Sequence, residues 1–119
     1  SAVAFNELAE YYSGLKNFEE SVPLYRKALT LCEKLAPDSW LHALILNNLG
    51  RVYLLQGNFA EAEPLFKGSL NIRDKPSGQN KIAEATTLEN YAVLLTKTGN
   101  QTQADILAEK ALQLRKNNQ

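Results

Sequence analysis

Cysteine and histidine are nearly absent from this sequence of 119 residues, which contains one of each. The lone Cys32 cannot form an internal disulfide or build a cysteine-based zinc site. The lone His42 excludes a two-histidine metal site and leaves little basis for a histidine-dependent triad or dyad. We therefore expect no catalytic residue, no metal and no cofactor. Cys32 is predicted to be a small buried or half-buried hydrophobe, and His42 a partly exposed packing residue.

An excess of charge of either sign is also missing, since Lys+Arg and Asp+Glu both number 13. Proteins that bind nucleic acid or anionic membranes usually carry a basic excess or stripe. The most basic stretch, Arg115-Lys116, is better explained as cations near a helix C-terminus. We therefore expect no nucleic-acid partner.

Long apolar runs are missing as well, because none approaches the roughly 20 residues that a membrane span requires. No secretory signal is visible, so we expect no membrane insertion and a cytoplasmic location. The chain begins at Ser1 without an initiator methionine, and we expect it to be processed or part of a longer protein.

What the chain does contain is internal repetition. Asn17, Asn58 and Asn100 lie 41 and 42 residues apart, each at the same point of a longer match. The copies align without internal gaps and read "FNELAEYYSGLKNFEESVPLYRKALTL", "LNNLGRVYLLQGNFAEAEPLFKGSLNI" and "LENYAVLLTKTGNQTQADILAEKALQL".

Because hydrophobic residues make up 45% of a chain of single-domain length, one packed core is expected.

The aligned columns repeat apolar and small residues at three- and four-residue steps, which is helical spacing. Small side chains in one column would let two helices approach closely: Ala9, Gly50 and Ala92. Each copy is thus predicted to be two helices joined by a tight turn, with no sheet. The predicted ranges are 2–15 with 18–35, 40–56 with 59–73, and 80–98 with 101–117.

The turn inside each copy has a recognisable chemistry. Each asparagine is followed three residues later by Glu20, Glu61 or Gln103, which is a capping-box spacing with Asn in the Ser/Thr place. Gly57 and Gly99 supply permissive backbone before two of the asparagines. Since Lys16 replaces glycine in the first copy, that turn is predicted to be strained or differently shaped.

Proline recurs inside two of the predicted helices, at Pro23 and Pro64, whereas Ile106 fills the column in the third copy. Proline removes one backbone hydrogen bond and can bend a helix. A bend built into the first two copies is one interpretation, and proline tolerated near a helix start with no role is the other.

These columns resemble the tetratricopeptide repeat, whose pattern is large-x2-Leu-Gly-x2-Tyr followed by Ala-x3-Phe. The second copy has Leu46, Leu49, Gly50, Tyr53, Ala62 and Phe66. The first has Phe5, Leu8, Ala9, Tyr12, Ser21 and Tyr25, and the third has Leu88, Tyr91, Ala92, Leu95, Ala104 and Ala108. The closing proline of the family pattern has no clean counterpart.

The period separates this chain from the usual form of the family, which runs about 34 residues. A surplus of about two helical turns is similar to the kinesin-light-chain type of repeat. The resemblance implies an all-α, right-handed α-solenoid of three antiparallel helix pairs. It would form one domain over 1–119, with repeats of about 2–38, 39–79 and 80–117.

In the family, the first helix of each pair lines a concave surface that binds peptides. Once the core columns are removed, Leu54 and the following candidates remain for a peptide-binding groove: Asn6, Glu10, Leu44, Asn47, Asn48, Arg51, Leu55, Asn90, Val93 and Lys97. Asn48 and Asn90 share a column, and an amide that both donates and accepts can pair with any peptide backbone. The alternative is that they are ordinary exposed polar residues. Acidic Glu10 argues against a clamp for a terminal carboxylate.

The sequence therefore predicts a module that binds a peptide or helical segment of a partner protein. The alternative is a structural or self-associating repeat segment of a larger scaffold or regulatory protein, with homo-oligomers or further repeats in a longer chain. An enzyme is the weakest hypothesis, because no constellation of residues supports one.

Overall fold

The computed structural model describes residues 1–72 and 78–117, which form six α-helices and no β-strand. The helices are α1 (Ala2–Gly14), α2 (Phe18–Leu35), α3 (Trp40–Leu55), α4 (Phe59–Ile72), α5 (Gly78–Lys97) and α6 (Gln101–Asn117). The predicted bounds agree within two residues, although the predicted end of the fourth helix at 73 lies outside the described residues. Helical periodicity was therefore a sufficient guide to the elements.

The helices pack as three consecutive pairs, α1 with α2, α3 with α4, and α5 with α6. The second helix of each pair also packs on the first helix of the next, so the chain is an all-α solenoid. The first helices contact one another from α1 to α3 and from α3 to α5. Within the described residues no contact joins α2 to α4 or α4 to α6. Because the first helices lie closer together, they line the concave side.

The core runs between the layers as connected clusters of buried side chains. Gly50 shows why a small residue is needed in its column: a Cβ there would lie 2.7 Å from Cε1 of the Phe66 ring. Helix α3 can therefore approach α4 closely. Cys32 is buried within the first cluster, which confirms the prediction of a small core hydrophobe.

The corners within the pairs share one backbone geometry. Lys16, Gly57 and Gly99 all have positive φ, at 60°, 76° and 87°. The residue after each donates its N–H to the carbonyl five residues earlier, as Asn58 does to Tyr53 at 2.8 Å, in a Schellman arrangement. The first corner thus has the same shape as the others, and Lys16 accepts left-handed backbone to form it.

The expected capping box is not formed at the first corner. Asn17 is the N-cap of α2, but its side chain makes no capping hydrogen bond. Its backbone carbonyl instead accepts the first helical bond from Ser21 N–H at 3.1 Å. At this corner, asparagine therefore caps the helix through its backbone and not through a hydrogen bond of its side chain.

His42 is more buried than predicted, with 8% of its surface exposed. Its Nδ1–H donates to the Pro37 carbonyl at 2.6 Å, and its backbone N–H donates to Ser39 Oγ at 3.1 Å. These bonds fold the connection between α2 and α3 against the start of α3. Pro23 and Pro64 both lie inside helices that continue beyond them to Leu35 and Ile72.

Candidate functional site

A ladder of asparagine side chains links the three first helices along the concave side. Asn48 Nδ2 donates to Asn6 Oδ1 at 3.2 Å, and Asn90 Nδ2 donates to Asn47 Oδ1 at 3.1 Å. Asn6 and Asn47 are each only 3% exposed. Asn6 Nδ2 also donates to Glu10 Oε1 at 3.0 Å. The ladder therefore fixes the spacing of the helices that carry the predicted groove.

The ladder changes what the predicted groove asparagines can do. Asn48 and Asn90 are half-buried and each commits one amide N–H to its neighbour. An amide has two N–H donors and an acceptor oxygen, so each retains further hydrogen-bonding capacity. Leu54, predicted to be exposed, is instead buried in the core cluster between the second and third pairs. Successive residues lie about 100° apart around a helix axis, so Leu54 packs in this cluster while Leu55 faces solvent.

A depression of about 330 Å³ lies between α1 and α3 on this side. Four of the predicted groove residues meet there: Glu10, Asn48, Arg51 and Leu55. The depression is also lined by Ser13, Gly14, Lys16 and Tyr25. The depression is bounded by an acidic side chain, two basic ones and an exposed leucine, so it offers mixed charge beside apolar surface.

Tyr25 is the residue that sequence reasoning placed wholly in the core. Its ring is buried, yet the residue also lines the depression. Burial and the nearby Glu10 carboxylate raise the pKa of its hydroxyl to about 12, while a hydrogen bond with Ser13 and the Arg51 charge oppose the rise. The signal was present in the sequence, since a tyrosine at a core position needs a partner for its hydroxyl.

Arg51 is a charged group in this depression with unused hydrogen-bonding capacity. Within the described residues its guanidinium has no hydrogen-bond or ion-pair partner. Glu10, by contrast, already accepts from Asn6. Leu55, one helical turn beyond Arg51, is 57% exposed. A guanidinium can pair with a carboxylate or with peptide carbonyl groups, and the leucine adds apolar contact.

A second depression, of about 390 Å³, lies between α5 and α6 and includes the predicted groove residues Val93 and Lys97. Its lining includes Ala108, which occupies the column that Tyr25 and Phe66 fill with aromatic rings in the first two pairs. Four predicted residues line neither depression: Asn6, Leu44, Asn47 and Asn90. Three of these belong to the ladder, and Leu44 is half-buried in the first half of α3.

Other polar contacts hold the helices that flank this surface. Tyr91 Oη donates to Glu63 Oε2 at 2.8 Å, and burial followed by this bond raises the pKa of Tyr91 to about 12. Arg115 donates from Nε and Nη2 to the Glu89 carboxylate, both at 2.7 Å. That bidentate contact lowers the pKa of Glu89. These groups stabilise packing and are not free for a ligand.

The described residues contain no group of three or more His, Cys, Asp or Glu side chains placed to hold a metal ion. None of the helices in the described ranges is both long and apolar enough to cross a membrane.

Comparison with known proteins places the chain in a family. A family model described as tetratricopeptide repeat matches twice, over residues 1–75 and 41–117. The chain belongs to the tetratricopeptide repeat family. This family is a non-catalytic repeat scaffold whose members generally mediate protein–protein interaction, and no curated protein sequence matches the chain significantly.

A solved tetratricopeptide repeat structure is also similar: BtubC (BKLC) from P. vanneervenii, a kinesin light chain-like protein. The two share 26% sequence identity with a TM-score of 0.87, over 96% of this chain and 46% of BtubC. This chain therefore spans about half the length of that protein. The predicted repeat type, that of kinesin light chain, is confirmed.

Proposed function

We propose that residues 1–119 form one protein-binding module, which holds an extended or helical segment of a partner protein in the concave groove. The observation that carries this proposal is the unpaired Arg51 guanidinium beside exposed Leu55, on a helix held in place by the ladder. Because the ladder holds the helix that carries these groups before the partner arrives, the helix itself loses little entropy on binding. General membership of an interaction family supports the same class of function.

The groove residues divide into supports and contacts. The buried Asn6 and Asn47 hold the ladder together, so they act on a partner only through helix spacing. Arg51, Leu55, Val93 and Lys97 are exposed and would touch the partner directly. An extended segment would also find the remaining amide groups of Asn48 and Asn90, which can pair with its backbone whatever its sequence.

The experiment compares capture of partners by the wild-type chain with capture by an Arg51→Ala/Leu55→Ser variant. Both positions are exposed and make no ladder bond, so the fold should be unchanged. We expect the affinity for a captured partner, measured by calorimetry with the responsible segment, to fall on the order of tenfold or more.

The matched control is Lys34→Ala/Leu35→Ser, which also removes an adjacent cation and leucine from exposed positions at the end of α2. It should leave the affinity unchanged. Equal affinity of the groove variant and the control for every partner would contradict the assignment of the groove.

A further inference from the structure

Apolar side chains are exposed at the starts of α3 and α5. Trp40 is 44% and Ile82 40% exposed. They stand in the same column of the repeat, 42 residues apart, on two helices that contact each other. Half-buried Leu44 lies one helical turn beyond Trp40. Because they lie on neighbouring helices, these three residues form one surface, which we call the apolar zone: Trp40, Leu44 and Ile82.

The register of α3 puts the apolar zone on the same side as Arg51. Successive residues lie about 100° apart around a helix axis, so Trp40, Arg51 and Leu55 fall within about 60° of one another. All three are exposed, whereas Leu49, about 180° from Trp40, is completely buried. Trp40 and Arg51 are eleven residues apart, which is about 16 Å along the axis. The concave side therefore carries an apolar contact at one end and a cation at the other.

The start of α3 is held in place before any partner arrives. Ser39 is its N-cap, with Oγ accepting from the His42 N–H at 3.1 Å and its carbonyl accepting from the Ala43 N–H at 3.2 Å. The His42 ring donates to the Pro37 carbonyl. A tryptophan on fixed backbone offers a large contact area at a low cost in side-chain entropy. Trp40 is thus suited to anchor a partner's apolar side chain.

The free charges on the groove side of α3 and α5 are cationic. Within the described residues, neither Arg51 nor Lys97 has a hydrogen-bond or ion-pair partner. The carboxylate on this side of α5, that of Glu89, already accepts two hydrogen bonds from α6. Glu7 and Glu10 lie on α1. Complementary charge therefore favours an acidic occupant over α3 and α5, and the uncharged apolar zone favours an apolar group at the other end.

The middle of the groove favours an extended chain over a helix. Asn48 and Asn90 lie between the two ends, and each has committed one amide N–H to the ladder. The second N–H and the oxygen of each amide remain for a ligand. An extended segment presents free backbone N–H and C=O groups, whereas a helix uses its own internally. Only the extended form can therefore pair with both amides through its backbone.

We propose that the groove takes an extended segment that lies along α3, with a large apolar side chain on the apolar zone and an acidic side chain at Arg51. This binding mode rests on the proposed function and adds the chemistry and direction of the bound segment. An extended chain advances about 3.3 Å per residue, so 16 Å corresponds to about five residues. Since side chains alternate between faces, two that both point into the groove are four or six residues apart.

The sole tryptophan of the chain, Trp40, provides the measurement, because its fluorescence reports on the apolar zone alone. The probes are glycine-, serine- and threonine-based peptides, capped at both ends, with one leucine and one aspartate. The two residues are placed two, four, six or eleven positions apart, in both orders. We expect Trp40 emission to shift to shorter wavelength, with affinity about fivefold higher at four or six than at two or eleven. High salt should weaken binding.

Variants then separate the two ends of the groove. Ile82→Ser should weaken binding of the best peptide about threefold or more. The matched control is Ile106→Ser, because Ile106 is also an exposed isoleucine but lies on α6 outside the groove, and it should change nothing. Arg51→Gln should remove the preference for aspartate over asparagine in the peptide. Circular dichroism of each variant confirms that the helices are intact.

The outcomes distinguish this binding mode from the proposed function. Binding that depends on Arg51, yet leaves Trp40 emission unchanged and ignores the spacing, would overturn the binding mode and leave the proposed function standing. Tightest binding at eleven positions would also overturn it, because that spacing fits a helix. So would the absence of binding by every peptide. The capture experiment with Arg51→Ala/Leu55→Ser decides the proposed function independently, since it uses natural partners and leaves the apolar zone intact.

Discussion

Lys16 shows how strongly the corner geometry is imposed at the level of a single residue. Left-handed backbone costs a residue with a Cβ about 1–2 kcal/mol, yet Lys16 adopts φ 60°. It does so because the bonds that close the corner, such as Asn17 N–H to the Tyr12 carbonyl at 2.9 Å, require that conformation. The first corner therefore stores strain that the glycine corners avoid.

Lys16→Gly should raise the free energy of unfolding by about 0.5–1 kcal/mol, the relief of strain less the greater entropy of glycine in the unfolded chain. Urea denaturation measures the change. The reverse substitution at the equivalent corner, Gly57→Lys, should lower stability by about 1–2 kcal/mol. If both substitutions shift stability in the same direction, backbone strain is not the dominant cause.

At the level of elements, the ladder holds the first helices together, as the aromatic columns hold together the two helices of a pair. Asn47 accepts from Asn90 across the contact between α3 and α5, and it is buried. A polar side chain at such a position is stable only while its hydrogen bonds are made. The ladder therefore sets helix spacing, and through it the width of the groove.

Asn47→Ala should lower the free energy of unfolding by about 1–2 kcal/mol, because the half-buried Asn90 amide loses its acceptor. The matched control is Asn17→Ala, whose side chain makes no capping bond, and which should change stability by less than about 0.5 kcal/mol. Chemical denaturation of both variants at one pH gives the comparison. A larger loss of stability for Asn17→Ala than for Asn47→Ala would mean that the Asn17 side chain stabilises the fold more than the ladder does.

The whole molecule is a short one-dimensional array, in which each pair is stabilised by its neighbours. The middle pair has a neighbour on both sides, and α3 alone contributes eight of the buried residues. The outer helices α1 and α6 each bury only two. Stability should therefore fall from the centre of the array towards both ends.

Native-state hydrogen exchange at dilute concentration should show this gradient. We expect the slowest amides in α3 and faster exchange in α1 and α6, by on the order of tenfold or more, because the ends open without unfolding the centre. The measurement is exchange followed by mass spectrometry or NMR. Equal protection in all six helices would mean that the chain unfolds only as one cooperative unit.

The sequence predicted most of the fold and part of the site. The limits of the helices could be found without tertiary knowledge, because apolar spacing marks each helix and Gly57 and Gly99 follow the ends of α3 and α5. Arg51 and Leu55 could be placed on the open face by subtracting core columns. The burial of Leu54 and the second role of Tyr25 could not, because they depend on which neighbouring helix covers each side.

By itself, then, the sequence determined six helices, three corners and the columns that pack, since these follow from contacts between residues close along the chain. Only the tertiary structure decided which side chains of those columns are buried and which residues they contact. It placed Asn6 against Asn48 and Asn47 against Asn90, more than 40 residues apart. It left Tyr11 and Ala108 uncovered at opposite ends. The physical reason is that the same column is buried or exposed according to whether another helix pair lies beside it.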